Sequence, residues 1–275
     1  MTDPRTEDLT PGARLGALRA GAPLVHNITN YVAMNVMANV MLAAGASPAM
    51  VHAREEAPGF AAIAAGLSVN VGTLSAEWAE SMQEAAQSAS ARGKPWALDP
   101  VAVFASDWRG EVCRRLVELR PSLVRGNASE ILALAGFEAG AKGADAGDEV
   151  QAAEAAARAL ALRTGRIVAV TGPVDYVTDG SRALTVANGH ALMPKVTALG
   201  CSLTGLCAAF LAVEPEGGDA LGAVAACLAF YGLAGERAAE RASGPGSFAV
   251  AFLDALHGIS PADLDAGARI AEAGA

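Results

Sequence analysis

The sequence predicts an α/β fold built on one mostly parallel sheet, with helices on both faces and an antiparallel edge. Three observations carry this expectation. Short apolar runs alternate with longer Ala-rich segments of helical period, the pattern of consecutive β-α-β units. After Thr171 the spacing contracts into short β-prone runs separated by Asp-Gly and Asn-Gly, the dipeptides of tight hairpins. From Gly200 onward the chain reads as nearly continuous helix.

Taken in order, strands are expected at Pro23–Val25, Ala49–His52, Leu67–Val71, Trp96–Leu98, Leu123–Val124 and Ile167–Thr171. Helices are expected between them at Tyr31–Ala43, Glu55–Ala65, Glu77–Arg92, Trp108–Leu119, Ala128–Leu134 and Asp148–Arg163. The antiparallel edge is expected from Tyr176–Thr178, Ala183–Ala187 and Ala191–Met193. The helical remainder divides into Cys201–Val213, Ala220–Arg241, Ser247–His257 and Pro261–Ala271. Gly136–Gly147 reads as a glycine-rich surface loop. With no internal repeat and no low-complexity linker, residues 1–275 are read as one domain.

Composition narrows the function. Hydrophobic residues make up 52% of 275 and aromatics only 5%, so the core must be built mainly from Ala, Val and Leu. A net charge of −9 disfavours nucleic acid and anionic membranes as partners. The four cysteines, Cys113, Cys201, Cys207 and Cys227, show neither zinc spacing nor a disulfide framework. The first ten residues are polar and lack the apolar core of a signal peptide, so a cytoplasmic location is expected. No Asp, Glu, Lys or Arg occurs from Ala20 to Ala53 or from Val196 to Val213. The first span holds two prolines, two histidines and four asparagines, and the second Thr197, Ser202, Thr204 and two glycines. Such polar content fits a buried interior or a subunit interface, and no membrane association is expected.

Parallel sheets bind ligands beyond the carboxyl ends of their strands. That rule selects Met50 and His52 at one strand end, Asp99 at another, Arg125-Gly126-Asn127 at a third and Thr171-Gly172 at a fourth. Each also has a purely structural reading: Asp99-Pro100 is a turn pair, and Asn127 with Glu130 makes a capping box. The glycine turn before Cys201 opens an apolar helix, whose first N–H groups lack partners and favour an anion. The same field would lower a thiol pKa at Cys201. Asp99 and Glu130 can hold Mg²⁺ directly or through water. Arg125 and Thr171 can contact phosphate oxygens, while the N–H groups at Ala198–Cys201 cradle a transferring phosphoryl group. Such a set suits phosphoryl transfer, in which positioning and charge neutralisation dominate.

Several longer motifs add a resemblance. PLVHNITNYVAMNVMANVMLAAGASPAM (Pro23–Met50), ALDPVA (Ala97–Ala102), RGNASEI (Arg125–Ile131), VTGPVDYVTDG (Val170–Gly180), VTALGC (Val196–Cys201) and GPGSF (Gly244–Phe248) together resemble hydroxyethylthiazole kinase, in order and over nearly the whole chain. The resemblance implies a ribokinase-like three-layer sandwich. It also implies MgATP-dependent phosphorylation of 4-methyl-5-(2-hydroxyethyl)thiazole in thiamine salvage. It places Met50 and Asn27 at the thiazole pocket, with Ala198 and Gly200 beside the substrate. Arg125, Asn127 and Thr171 would meet ATP, Asp99 and Glu130 the magnesium, and Cys201 the reacting hydroxyl. A homotrimer with sites between subunits is implied too, which would bury the charge-free Ala20–Ala53. Asn35 and Asn39 share a helix face there, for hydrogen bonding or for substrate contact.

The chain departs from the resemblance at one point. Where the family usually reads Gly-Thr-Gly-Cys, it has Ala198-Leu199-Gly200-Cys201, losing easy access to positive φ and a hydroxyl donor. Altered phosphate contacts are expected. Competing readings are another ribokinase-like kinase for a pyrimidine or pyridoxal alcohol, a nicotinamide-nucleotide repair dehydratase, and a non-catalytic thiazole- or thiamine-binding regulator. Asp99, Arg125 and Glu130 favour the kinase, because a binder of thiazole alone has no use for a metal and phosphate apparatus.

Overall fold

A computed structural model describes residues 9–136 and 146–274. The loop read at Gly136–Gly147 therefore falls largely outside the described residues, as do the first eight positions. The strands are β1 (Leu24–Ile28), β2 (Ser47–Met50), β3 (Gly66–Asn70), β4 (Trp96–Asp99), β5 (Leu123–Asn127), β6 (Ile167–Thr171), β7 (Asp175–Thr178), β8 (Ala183–Val186) and β9 (Ile270–Glu272). They form one sheet in the order β2-β1-β3-β4-β5-β6-β7-β8-β9. The pairings from β2 through β6 are parallel and those from β6 to β9 antiparallel.

The helices are α1 (Pro11–Gly21), α2 (Met34–Ala44), α3 (Ala57–Ile63), α4 (Ala76–Ala91), α5 (Asp107–Glu118), α6 (Ala128–Ala135), α7 (Ala146–Thr164), α8 (Leu199–Val213), α9 (Ala220–Ala239), α10 (Pro245–Gly258) and α11 (Pro261–Gly267). Strand side chains alternate between two cores. Val25, Ala97, Leu123 and Ala169 point toward α1, α2 and α8–α11, whereas Leu67, Leu98, Val124 and Val168 point toward α3–α7. Period-two alternation with both faces apolar is what a sheet covered on both sides requires. The three-layer sandwich is therefore present.

Three elements differ from the sequence expectation. Ala191–Met193 is not a strand: Gly189 has φ of +144°, and the chain turns into a single 3₁₀ turn at Met193–Lys195. Pro194 supplies no N–H for a ladder there. The third antiparallel partner is instead β9, with Val186 opposite Ile270, so the expected helix at Pro261–Ala271 stops at Gly267. Helix α1 was not expected. Thr10 caps it by accepting from Ala13 N–H, Pro11 opens it, and only Leu15 and Leu18 supply its apolar stripe.

Helix α8 matters most for function. It is apolar around nearly its whole circumference and lies across β1, β3 and β4. Gly205 lets Asn27 and Met37 approach its backbone, since a Cβ there would collide with the Met37 methyl carbon. Cys207 on α8 and Cys227 on α9 are free and fully buried, their sulfurs 3.5 Å apart, and serve as small packing residues.

Candidate active site

The parallel register delivers polar residues to one rim. Asn70 pairs with Asp99 across β3 and β4, and Asn127 with Thr171 across β5 and β6. Asn70 Nδ2 donates to Asp99 Oδ2 at 2.8 Å, and Thr204 Oγ1 of α8 donates to the same oxygen at 3.2 Å. Arg125 Nη1 lies 3.9 Å from that oxygen. Burial is the main force on Asp99, lifting its carboxyl to about 6, with Arg125 opposing and the nearby Glu130 reinforcing.

Arg125 is the hub of the next group. Its Nη2 donates to Thr171 Oγ1 at 2.6 Å and its Nη1 to the Gly200 carbonyl at 3.2 Å, joining β5, β6 and the start of α8. Its Nε is buried without a partner, a donor still waiting for an acceptor. Ser202 N–H makes the first bond of α8, to the Ala198 carbonyl. The N–H groups of Leu199, Gly200 and Cys201 have no acceptor among the described residues. Ala198 itself stands in the left-handed region, with φ of +66° and no side-chain cap. A cavity of about 790 Å³ opens here, reaching from Arg125, Thr171 and Gly200 to Met193, Leu228 and Gly232. Asp175 lines it as well; burial lifts its carboxyl to about 6 while Gly172 N–H and Arg125 oppose. Orphan donors at a helix N-terminus beside a guanidinium make a receptor for a polyphosphate.

Glu130 has both oxygens engaged. Oε2 accepts from Asn127 N–H at 2.9 Å, completing the capping box with Asn127 Oδ1, and Oε1 accepts from Ala102 N–H at 3.0 Å. The hydrogen bonds to Asp99 both fall on Oδ2, and its Oδ1 has no partner among the described residues. No group of three or more metal-binding His, Cys, Asp or Glu side chains occurs among them either. One free carboxylate oxygen with a second carboxylate behind it matches what Mg²⁺ takes from protein when phosphates supply the remaining ligands.

Cys201 is half-buried at the head of α8, where Asn30 Nδ2 donates to its sulfur at 3.3 Å. Burial and then the Asp99 charge push the thiol up, outweighing Asn30, Asn70 and Arg125. This reverses the lowered pKa expected from the helix N-terminus: a desolvated thiol beside a carboxylate keeps its proton.

Asn27 is fully buried against Gly205 of α8, one turn beyond Cys201, and its Oδ1 has no partner. Its amide donates to the Val25 and Ala49 carbonyls at 2.9 and 3.4 Å, so it supports the β1–β2 pair and does not face the cavity. Met50, half-buried, ends β2 at the sheet edge. Four strand steps of ~4.8 Å separate β2 from β5, so Met50 lies roughly 19 Å from Arg125 within one chain. Asn39 Nδ2 donates to the Asn35 carbonyl and side-chain oxygens, and both residues are exposed. His52 stacks on Trp78 with centroids 4.5 Å apart and pairs with the Thr29 backbone.

The structure thus brings together Asp99, Arg125, Asn127, Glu130, Thr171, Ala198, Gly200 and Cys201, and leaves Met50 at the sheet edge and Asn27 packed against α8, neither of them lining the cavity. Sequence reading missed Asn30, Asn70, Thr204 and Asp175. Asn70 stood one place inside an expected strand, and the strand-end rule that found Asp99 would have found it.

The family model described as "Hydroxyethylthiazole kinase family" matches residues 15–262. A hydroxyethylthiazole kinase of Cereibacter sphaeroides is 63% identical over 94% of this chain and 97% of its own length. One of Rhizobium leguminosarum bv. trifolii is 59% identical over 96% and 98%. Among solved structures, the hydroxyethylthiazole kinase of Pyrococcus horikoshii superposes with a TM-score of 0.88 at 39% identity, covering 96% of this chain and 99% of that one. A pyridoxal kinase of Staphylococcus aureus in complex with ADP superposes at 0.58 with 15% identity, covering 78% and 88%, which is likeness of fold alone.

Proposed function

The chain belongs to the hydroxyethylthiazole kinase family, and from that premise we propose how its rim performs the transfer. The enzyme is a phosphotransferase that moves the terminal phosphoryl group of ATP to the hydroxyl of 4-methyl-5-(2-hydroxyethyl)thiazole, a step of thiamine salvage. The observation that supports our assignment of roles is the meeting, at one cavity lined by Arg125, Leu199 and Gly200, of the orphan Arg125 Nε with the head of α8, whose first three N–H groups are unpartnered among the described residues.

Arg125 and Thr171 bind the triphosphate, with Asn127 at the mouth of the same cavity. The N–H groups of Leu199, Gly200 and Cys201 receive the charge that develops on the transferring phosphoryl group. The alcohol oxygen forms a bond to the γ-phosphorus as the bond to the bridging oxygen of ADP breaks. Magnesium, when bound, neutralises phosphate charge, and Asp99 Oδ1 would hold it, with Glu130 reached through water. Glu130 otherwise commits its oxygens to fixing the Ala102 and Asn127 backbone. Cys201 contacts the acceptor hydroxyl as a protonated thiol, not as a base. In a loose transition state the alcohol's proton leaves late, passing to an oxygen of the transferred phosphoryl group and from there to solvent, so catalysis rests on positioning and charge.

Met50 contacts the thiazole in an assembled homotrimer whose sites lie between subunits. Three features support that assembly: the distance of Met50 from Arg125, the open outer edge of β2, and exposed Tyr31, Val32 and Leu42 on the charge-free segment. No helix among the described residues is long and apolar enough to cross a membrane, and we place the enzyme in the cytoplasm.

The test is release of ADP on adding hydroxyethylthiazole, with and without Mg²⁺. Hydroxyethylthiazole- and Mg²⁺-dependent release is expected. Thiazole binding without ADP release would leave a binding protein and overturn these roles.

A further inference from the structure

Beyond the phosphate contacts, the cavity continues along Met193, Pro194, Leu228 and Gly232. On the kinase reading, this far end receives the base of the nucleotide. What the end lacks decides how it reads that base. Asn188 is buried and fully committed: Nδ2 donates to the Gly267 carbonyl and Glu236, and Oδ1 accepts from Arg269 N–H at 2.8 Å. Tyr231 donates its hydroxyl hydrogen to the Leu199 carbonyl at 2.8 Å. Gly189 N–H is taken by Glu236 Oε1 at 2.8 Å. His190 is exposed, and its Nδ1 accepts from Leu192 N–H.

We infer that this enzyme selects its phosphoryl donor by triphosphate and ring shape, and that it accepts GTP and ITP as well as ATP. Unpaired groups are the reason. A site built to hydrogen-bond a substrate rejects an analogue lacking that bond by about 10⁴–10⁵, because its own polar groups are left bare. An apolar slot separates analogues by only about 10–200-fold. Here the buried polar side chains, Asn188 and Tyr231, already have protein partners, and His190 and Thr197 stand exposed to water, so exchanging an amino group for a carbonyl on the purine strands no buried side-chain group. Gly232 lets the Asn188 backbone pack directly against α9, since a Cβ there would lie 2.5 Å from it.

This inference rests on the kinase reading, and the experiment separates the two. The intact protein is assayed with Mg²⁺ and hydroxyethylthiazole, and thiazole phosphate formed from ATP, GTP and ITP is measured as kcat/KM. Values for GTP and ITP within about 100-fold of ATP are expected. Transfer from ATP with a greater loss for GTP or ITP would overturn the inference and leave the kinase reading intact. No transfer from any triphosphate would overturn both. His190→Ala, which removes the exposed imidazole at the mouth, is expected to leave the ATP-to-GTP ratio unchanged. A change of about tenfold in that ratio would show that His190 reads the base and would also overturn the inference.

Discussion

Asn70 Nδ2 and Asp99 Oδ2 lie 2.8 Å apart, across the ends of two neighbouring strands, and the bond holds more than its two partners. Asn70 Oδ1 accepts from Asn30 Nδ2 and from Gly72 N–H, both at 2.9 Å, and Asn30 in turn touches the Cys201 sulfur. Asn70 therefore joins β3, β4, the loop after β1 and, through Asn30, the head of α8. With Thr204 it fixes which oxygen of Asp99 is held by protein and which faces the reaction.

Asn70→Leu should expose this dependence. It strands buried donors on Asn30 and Gly72, at about 1–3 kcal/mol, and frees Asp99 to rotate. A fall in kcat of about 10²-fold is expected, since small misplacements of catalytic groups cost that much. Steady-state kinetics alongside urea unfolding check it; loss of stability with unchanged kcat would limit Asn70 to a structural role.

Ala198, with φ of +66°, carries steric strain that glycine would not feel. Ala198→Gly is expected to raise the unfolding free energy by about 1 kcal/mol and to leave kcat unchanged or higher. Leu199→Thr should lower stability, because Leu199 is buried in the core, while adding a hydroxyl near the phosphates. Urea midpoints and KM for ATP decide. If both variants match the parent in activity, the departure at these two positions is silent.

A protonated Cys201 has a kinetic signature. Cys201→Ser should keep kcat within about tenfold of the parent, whereas removal of a general base costs about 10²–10⁴. A loss in the larger range would restore the thiolate role that the burial of the sulfur argues against.

His26 offers a pH test of stability away from the site. It is fully buried, its Nε2 bonds the Val51 carbonyl at 2.7 Å, and Nδ1 has no partner. Burial is the chief cause of a pKa lowered to about 4. The unfolded imidazole, at about 6.5, binds its proton first, so the contribution of His26 is present above about pH 6.5 and is lost as pH falls toward about 4. The difference in unfolding free energy between parent and His26→Phe should shift against the parent by about 3 kcal/mol over that range. The comparison of two proteins cancels Asp99 and Asp175, whose raised values act in the opposite direction. A constant difference would show that His26 does not titrate there.

Order along the chain was enough to read the strand–helix alternation, the antiparallel edge and most of the rim. Each has a local expression: apolar runs of strand length, Asn-Gly and Asp-Gly turns, and the rule that parallel strands bind ligands at their carboxyl ends. Asp99, Arg125, Asn127 and Thr171 followed directly. What those residues touch emerged only on folding. The third antiparallel strand came from Ile270–Glu272, more than eighty residues beyond β8, and no local pattern encodes a pairing at that separation. Asn30, Asn70 and Thr204 read as ordinary polar residues until two strands, a loop and a helix brought them within hydrogen-bond distance. The Cys201 thiol shows the same division: helix position alone predicts a lowered pKa, but burial and a carboxylate contributed from another element raise it. Backbone preference is a property of neighbours in the chain, whereas desolvation and charge depend on neighbours in space.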